Sequence, residues 1–274
     1  LRDCNLLERY PNLVHDISFG SPIGNPPTPS FTFIPSNMPT TDLNPSFIDN
    51  YLAGEVAAGR MSGPYSVEEA HAFFGGHFRT APLGLVEKEP GLGKWRMVQN
   101  NSVLDSSGDS TNSWLDAKDI LIKWNTCANM ADLVAKAPPG TQVASLDQAH
   151  AFRCSAVLPR HKWALPISWR GSIWPDHTFP FGLCTSGNVQ GTAADAFVDV
   201  LDAKGIPDTL KWVDDYEFFR YPIASQISAD GSTEYTYGHD LSTILSISDP
   251  LGIVWNDICD KGHDFAYVTE YTGF

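Results

Sequence analysis

An α+β fold is what this sequence predicts, and three observations carry the prediction. Strand-forming runs come in neighbouring pairs joined by turn residues, amphipathic helices are interspersed irregularly among those pairs, and no internal repeat organises the order. A doubly wound sheet would instead show strands and helices alternating one for one.

The elements follow in order. Residues 20–42 carry Pro22, Pro26, Pro27, Pro29, Pro35 and Pro39 among Ser, Thr and Asn, a composition that favours extended backbone and reads as an arm or linker. Residues 1–42 are therefore assigned to a Pro-rich N-terminal extension and 43–274 to the folded domain. Asn44 and Pro45 suit a helix start, Phe47, Ile48, Tyr51, Leu52 and Val56 fall at helical spacing, and Gly59 suits a stop. Ser66 to Glu69 has capping-box spacing for a short helix through Phe74. Leu83–Lys88 and Lys94–Val98 flank a Gly-rich turn and predict a hairpin. Residues 105–112 read as a loop, with helical segments near 113–124 and 128–136. A strand over Gln142–Leu146 ends at Asp147, and Trp163–Trp169 with Ser172–Phe179 form a hairpin around Arg170 and Gly171. Val189, Ala193, Ala196, Phe197, Val200 and Leu201 mark an amphipathic helix closed by Gly205. After a hairpin at Leu210–Phe219 come a helix over 238–247 and strands over Gly252–Trp255 and Phe265–Thr269.

With 42% hydrophobic and 18% charged residues, the chain can bury a sizeable core. No apolar run reaches the roughly 18 residues that span a bilayer, so no membrane partner is expected. The N-terminus is polar, with Glu8, Arg9 and Asp16 interrupting any apolar signal region. Five scattered cysteines form no Cys-x-x-Cys pair and no zinc spacing with the histidines, which reads as free thiols in a reducing compartment. The expected location is intracellular, cytoplasmic or nuclear, and not secreted. A net charge of −14 argues against tight autonomous nucleic-acid binding but says little about a local groove. The chain does not begin with Met, as a piece of something longer would not.

Chemistry concentrates at Trp212-Val213-Asp214-Asp215. Like charges held on a tight turn repel unless a cation neutralises them, and Mg²⁺ prefers carboxylate oxygens while leaving sites open for phosphate. Asp147, at the end of a β-rich run, supplies a third carboxylate. Between them lies Phe179-Pro180-Phe181-Gly182-Leu183, where Gly182 lets backbone approach a flat ligand. Lys88 and Arg96 place cations on both arms of the first hairpin.

Taken together, these segments resemble a reverse transcriptase, and in order and wording they look most like fungal retrotransposons of the DIRS-like, tyrosine-recombinase type. The resemblance covers roughly 45–274. Pro82–Lys88 and Lys94–Val98 look like the fingers hairpin, Ser145-Leu146-Asp147 through Phe152 like the first palm motif, and Pro180–Leu183 like the nucleotide-pocket motif. Trp212–Asp215 stands where the family commonly has Tyr-x-Asp-Asp, and Leu251–Trp255, Lys261 and 271–274 resemble the following palm motifs.

The resemblance implies a right-hand polymerase fold: fingers, and a palm of antiparallel sheet with packed helices, the thumb absent. It implies RNA-directed DNA synthesis with two Mg²⁺ (or Mn²⁺) ions held by Asp147, Asp214 and Asp215, of which Asp214 is a direct ligand and Asp215 a support. Lys88 and Arg96 would neutralise the β- and γ-phosphates, and Lys261 would be the pyrophosphate-side cation and proton donor. Phe152 matches the sugar gate that excludes a 2′-hydroxyl; Phe181 and Gly182 would line the base and sugar, and Gln148 would offer backbone near the triphosphate. The implied partners are an RNA or DNA template with its primer, deoxynucleoside triphosphates, and flanking RNase H and recombinase regions of a longer polyprotein. Two departures stand out: Trp212 replaces the familiar Tyr, and Gln99-Asn100 stands where an acidic residue often follows. Two alternatives stay open: a retroelement-derived binding or structural module without polymerase activity, and an RNA-dependent RNA polymerase, against which Phe152 argues.

Overall fold

A computed structural model of the chain describes residues 1–89, 91–116 and 122–271. In chain order its elements are α1 (Leu13–Phe19), α2 (Pro45–Ala57), α3 (Val67–Phe74), β1 (Leu83–Glu87), β2 (Trp95–Gln99), α4 (Cys127–Lys136), β3 (Gln142–Asp147), β4 (Ile167–Trp169), β5 (Ser172–Trp174), α5 (Ser186–Ala203), β6 (Thr209–Trp212), β7 (Asp215–Arg220), β8 (Pro222–Ile227), β9 (Thr233–Tyr237), α6 (Leu241–Ser248) and β10 (Gly262–Ala266). The chain divides into two units. One comprises Leu1–Pro11, Ile122–Ala151 and Gly191–Phe274, the other Asn12–Leu121 and Phe152–Gln190.

The first unit is built on an antiparallel sheet of order β10-β3-β7-β6. Its register pairs Val143 with Phe219, Ser145 with Glu217 and Asp147 with Asp215. Side chains alternate across a strand, so these six share one face and their neighbours share the other. On that other face Leu146, Tyr216 and Phe218 pack with Phe197, Leu201 and Ile244 of α5 and α6. Further along the first face Val143, Leu210, Phe219 and Tyr271 pack with Met130 and Leu133 of α4. Asp240 caps α6 by accepting from the Thr243 amide at 2.9 Å.

In the second unit Asn44 caps α2, its Oδ1 accepting from the Phe47 amide at 3.1 Å, with Pro45 in the first turn. Ile48 and Leu52 of that helix pack against Leu83, Leu85 and Met97 of the β1–β2 hairpin and Ile167 and Trp169 of β4. α3 carries the expected capping box between Ser66 and Glu69.

Several elements differ from expectation. The Pro-rich segment is not a free arm: Ile23 is fully buried, the Met38 amide donates to Leu83 O at 2.8 Å, and the Leu83 amide donates to Asn37 Oδ1 at 2.9 Å. Proline-spaced extended backbone can lie against a core when neighbouring polar groups complete its hydrogen bonds. The helix near 113–124 is a 3-10 turn at Asn112–Trp114; residues 117–121 of that expectation lie outside the described residues, as does Pro90 of the first turn. The 163–179 hairpin shrinks to β4 and β5, because Pro159–Ala164 is 3-10 helix. Gly252–Trp255 is not a strand and contributes one bridge, Trp255 to Gln148; its apolar run packs Trp255 against Tyr216 and Phe218 instead. The last strand is Gly262–Ala266 rather than 265–269. α1 and the β8–β9 hairpin were not anticipated.

Candidate functional site

In the first unit Trp212 pairs with Asp215, which leaves Val213 and Asp214 as the two turn residues between β6 and β7. Val213 takes φ 57, a left-handed conformation that crowds a β-branched side chain. The turn is tied to the end of β3: the Gln148 amide donates to Asp214 O at 2.7 Å. Since Asp147 and Asp215 face each other in the ladder, the backbone gathers Asp147, Gln148, Asp214 and Asp215 at one end of the sheet.

The electrostatics of that end are those of crowded carboxylates. Asp215 is pushed up to about 6, first by burial, then by the negative charges of Asp214 and Asp147, with a hydrogen bond to Asp147 reinforcing the protonated form. Lys261 is the neighbouring cation. Its Nζ lies 2.8 Å from Asp147 Oδ2, and that hydrogen bond raises its pKa. The amide nitrogen of Asn256 donates to the other Asp147 oxygen, and the Asn256 backbone amide donates to Asp147 O at 2.9 Å. Asp147 is thus clamped on both oxygens.

These residues bear on the expected Mg²⁺ in two ways. Among the described residues no three His, Cys, Asp or Glu side chains form a ready-made metal cage. The donor set is nonetheless all carboxylate oxygen, as a hard cation takes, and a bound cation would favour the ionised Asp215 that burial, and after it the charges of Asp214 and Asp147, disfavour. Asp147, Asp214 and Asp215 fit the ion chemically, provided Asp147 exchanges Lys261 for it.

Two residues of this unit escaped the sequence reading. Glu217, one pair along from Asp215 on the same face, is 1% exposed and accepts from Thr269 Oγ1 at 2.9 Å. Burial pushes its carboxyl up to about 7 against hydrogen bonds from Ser145 and Thr269. An acid inside Tyr216-Glu217-Phe218-Phe219, in step with Asp215, was the available signal. Lys211, on the opposite face, is buried with its Nζ 3.0 Å from Asp195 of α5 and 4.3 Å from the Trp124 ring centroid. Burial lowers its pKa. It anchors β6 to the long helix, and nothing local in the sequence announces it.

The second unit holds the other expected residues. Gly182 has φ 96, and a Cβ there would lie 2.2 Å from Gln99 O, so both conformation and space require glycine. Asn112 clamps this turn: its Nδ2 donates to Gly182 O at 2.9 Å, and its Oδ1 accepts from the Cys184 amide at 3.0 Å. Phe181 is exposed, and its ring centroid lies 4.9 Å from that of half-buried Phe152. Lys88 and Arg96 stand exposed on the β1–β2 hairpin, where Arg96 pairs with Val86 and the Lys88 amide donates to Lys94 O at 2.7 Å. Asp147, Gln148, Asp214, Asp215 and Lys261 thus meet in one unit, and Phe152, Phe181 and Gly182 in the other.

Comparison with known proteins places the fold. No protein-family model matches the chain, and no curated protein does. Among solved structures it is similar to a prototype foamy virus protease–reverse transcriptase mutant at TM-score 0.58 and 19% identity, covering 89% of this chain and 27% of that one. It is likewise similar to a foamy viral protease–reverse transcriptase in complex with an RNA/DNA hybrid, at TM-score 0.58 and 17% identity, covering 97% and 32%. A third, in complex with double-stranded DNA, matches at TM-score 0.55 and 18% identity over 90% and 36%. The chain therefore has a reverse-transcriptase-like fold of mixed helices and antiparallel sheet, and it spans only about a third of the length of those proteins. No helix among the described residues is long and apolar enough to cross a membrane.

Proposed function

We propose that this chain is the fingers–palm part of an RNA-directed DNA polymerase from a fungal tyrosine-recombinase-type retrotransposon, adding deoxynucleotides to a primer 3′-hydroxyl on an RNA or DNA template. The observation that carries the reading is the meeting of Asp147, Asp214 and Asp215 with Lys261 at one end of the sheet that the register fixes. Asp147 and Asp214 would hold the Mg²⁺ or Mn²⁺ ions, with Asp215 as support. Such ions, when bound, supply positive charge to the transferred phosphoryl group and acidify the attacking hydroxyl.

The chain's own groups supply the rest. Lys88 and Arg96 neutralise phosphate charge as it moves toward the leaving pyrophosphate. Lys261, whose proton Asp147 helps retain, delivers that proton to the leaving group once released from the carboxylate. Phe152 closes the sugar side against a 2′-hydroxyl, Phe181 and Gly182 face base and sugar, and the backbone at Gln148 approaches the triphosphate. RNase H and recombinase regions would flank this part in a longer polyprotein.

Primer extension with Mg²⁺ or Mn²⁺ on an RNA template tests the proposal. Asp147→Asn and Asp214→Asn should each lower incorporation by about 10³-fold or more. Extension that survives both substitutions would refute the metal assignment. A folded wild-type chain that neither extends a primer nor binds Mn²⁺ would favour a binding or structural module.

A further inference from the structure

The two aromatic residues assigned to the nucleotide pocket sit on segments cross-linked by a buried ion cluster. Phe152 belongs to the 3-10 turn Ala151–Cys154, and the next residue, Arg153, is 5% exposed. Its Nη1 donates to both oxygens of Asp176, at 2.9 and 2.7 Å. Its Nε and Nη2 donate to Glu55 Oε2 at 3.0 and 2.6 Å. Asp176 is 0% and Glu55 5% exposed. Asp176 also accepts from the Thr178 amide at 3.1 Å, and Glu55 Oε1 accepts from Arg60 Nη2 at 2.6 Å.

Backbone bonds run alongside the cluster. Ala156 bridges Thr178, the Val157 amide donates to His177 O at 2.8 Å, and the Phe179 amide donates to Ser155 O at 3.0 Å. The strand-like piece after Phe152 is therefore laid antiparallel to the piece before Phe181. Arg153 locks that alignment from beneath, against a side chain of α2. A planar guanidinium engaging two carboxylates in a dry site fixes geometry in a way an ammonium cannot. Buried ion pairs contribute little net stability relative to apolar packing, and their best-attested use is fixing register.

We infer that Arg153, with Glu55 and Asp176, is the positioning device that holds Phe152 against Phe181 and so sets the discrimination between deoxy- and ribonucleotides. Arg153 touches neither substrate nor reacting atoms in this scheme; it acts through the ring beside it. The inference rests on the sugar-gate reading of Phe152 given above, and it extends that specificity to Glu55, on a different helix.

The test compares kcat/KM for a deoxynucleotide and the matching ribonucleotide in wild type, Arg153→Lys, Glu55→Gln, Phe152→Ala and the double variant Phe152→Ala with Arg153→Lys. Thermal unfolding identifies which variants fold. Arg153→Lys, or Glu55→Gln should the lysine variant not fold, is expected to lower the deoxy/ribo ratio roughly tenfold, chiefly through a lower ribonucleotide KM, with kcat for the deoxynucleotide nearly kept. In the Phe152→Ala background the same change should leave the ratio within about twofold, because the intermediary ring is gone. An unchanged ratio in a folded variant, or an equal effect with and without Phe152, overturns the inference alone. A wild-type chain that does not discriminate, or that incorporates neither nucleotide, overturns the gate reading and the inference with it.

Discussion

Replacing Asp215 with asparagine should make the protein more stable. Its carboxyl titrates at about 6 in the fold against the usual 3.8, so the native state binds the proton more tightly than the unfolded chain does. Stability contributed by this group therefore falls as pH rises from about 4 to about 6 and is level above. At ~1.4 kcal/mol per tenfold change in proton affinity, this difference would give roughly 3 kcal/mol of native-state destabilisation at pH 8 for a fully dry group. The side chain is only half-buried, and solvent screening reduces this to roughly 1.5 kcal/mol. Asparagine keeps the shape, can donate to Asp147, and removes the charge. The expected outcome is a gain of about 1.5 kcal/mol at pH 8, or roughly 3–6 °C in Tm, shrinking to about half at pH 5. Mn²⁺ should raise the Tm of the wild type and raise that of the variant less. Urea and thermal unfolding at both pH values measure it. A variant no more stable than wild type at pH 8, or equally stabilised at pH 5, would refute the argument that burial, together with the neighbouring carboxylates, disfavours an ionised Asp215 at this end of the sheet.

Glu217→Gln acts by the same sign, since burial holds its carboxyl at about 7 against the usual 4.5: it should stabilise at pH 8 by up to about 3 kcal/mol and hardly at pH 4.5, read by urea unfolding. Gly182→Ala combines a φ of 96 with a Cβ 2.2 Å from Gln99 O and should cost about 2–4 kcal/mol in denaturant unfolding; a cost under about 1 kcal/mol would contradict the tight approach. Val213→Gly should relieve the left-handed φ of 57 and leave stability unchanged or raised by up to about 1 kcal/mol in the same assay, whereas a large loss would show that the valine side chain, not its backbone, matters.

The parts of the fold legible in the sequence were those whose cause is local. The β6–β7 hairpin announces itself through two β-rich runs a turn apart, α2 through Asn44 and Pro45, and α3 through its capping box. Gly182 could be singled out for backbone approach, but its partner, Gln99 O, could not. What stayed hidden has causes distant in the chain. Lys211 looks like an ordinary strand lysine until Asp195 and Trp124 are placed around it. In Leu251-Gly252-Ile253-Val254-Trp255, Ile253 and Trp255 pack on an aromatic cluster while Leu251 and Val254 are exposed, so the apolar run does not mark a ladder strand. The prolines of 20–42 suggested an arm, yet Asn37 and Thr40 tie that segment to β1. The β8–β9 hairpin has Asp230-Gly231 in its turn, a local hairpin signal, but the apolar residues of β8 do not alternate.

The alternation along β3 and β7 has a consequence for how this chain can change. Asp147, Asp215 and Glu217 lie on one face, with Val143 and Phe219 further along it, and Leu146, Tyr216 and Phe218 lie on the other, so the face of each side chain is decided by odd or even count from the turn. Deleting one residue from β7 would exchange the faces of the β7 residues beyond the deletion, setting their side chains against the wrong neighbours. Deleting two would preserve every assignment and merely shorten the strand. The acidic end of the sheet is thus tied to parity: point substitutions can tune it by degrees, while a single-codon insertion or deletion inside either strand exchanges the faces of every residue beyond it.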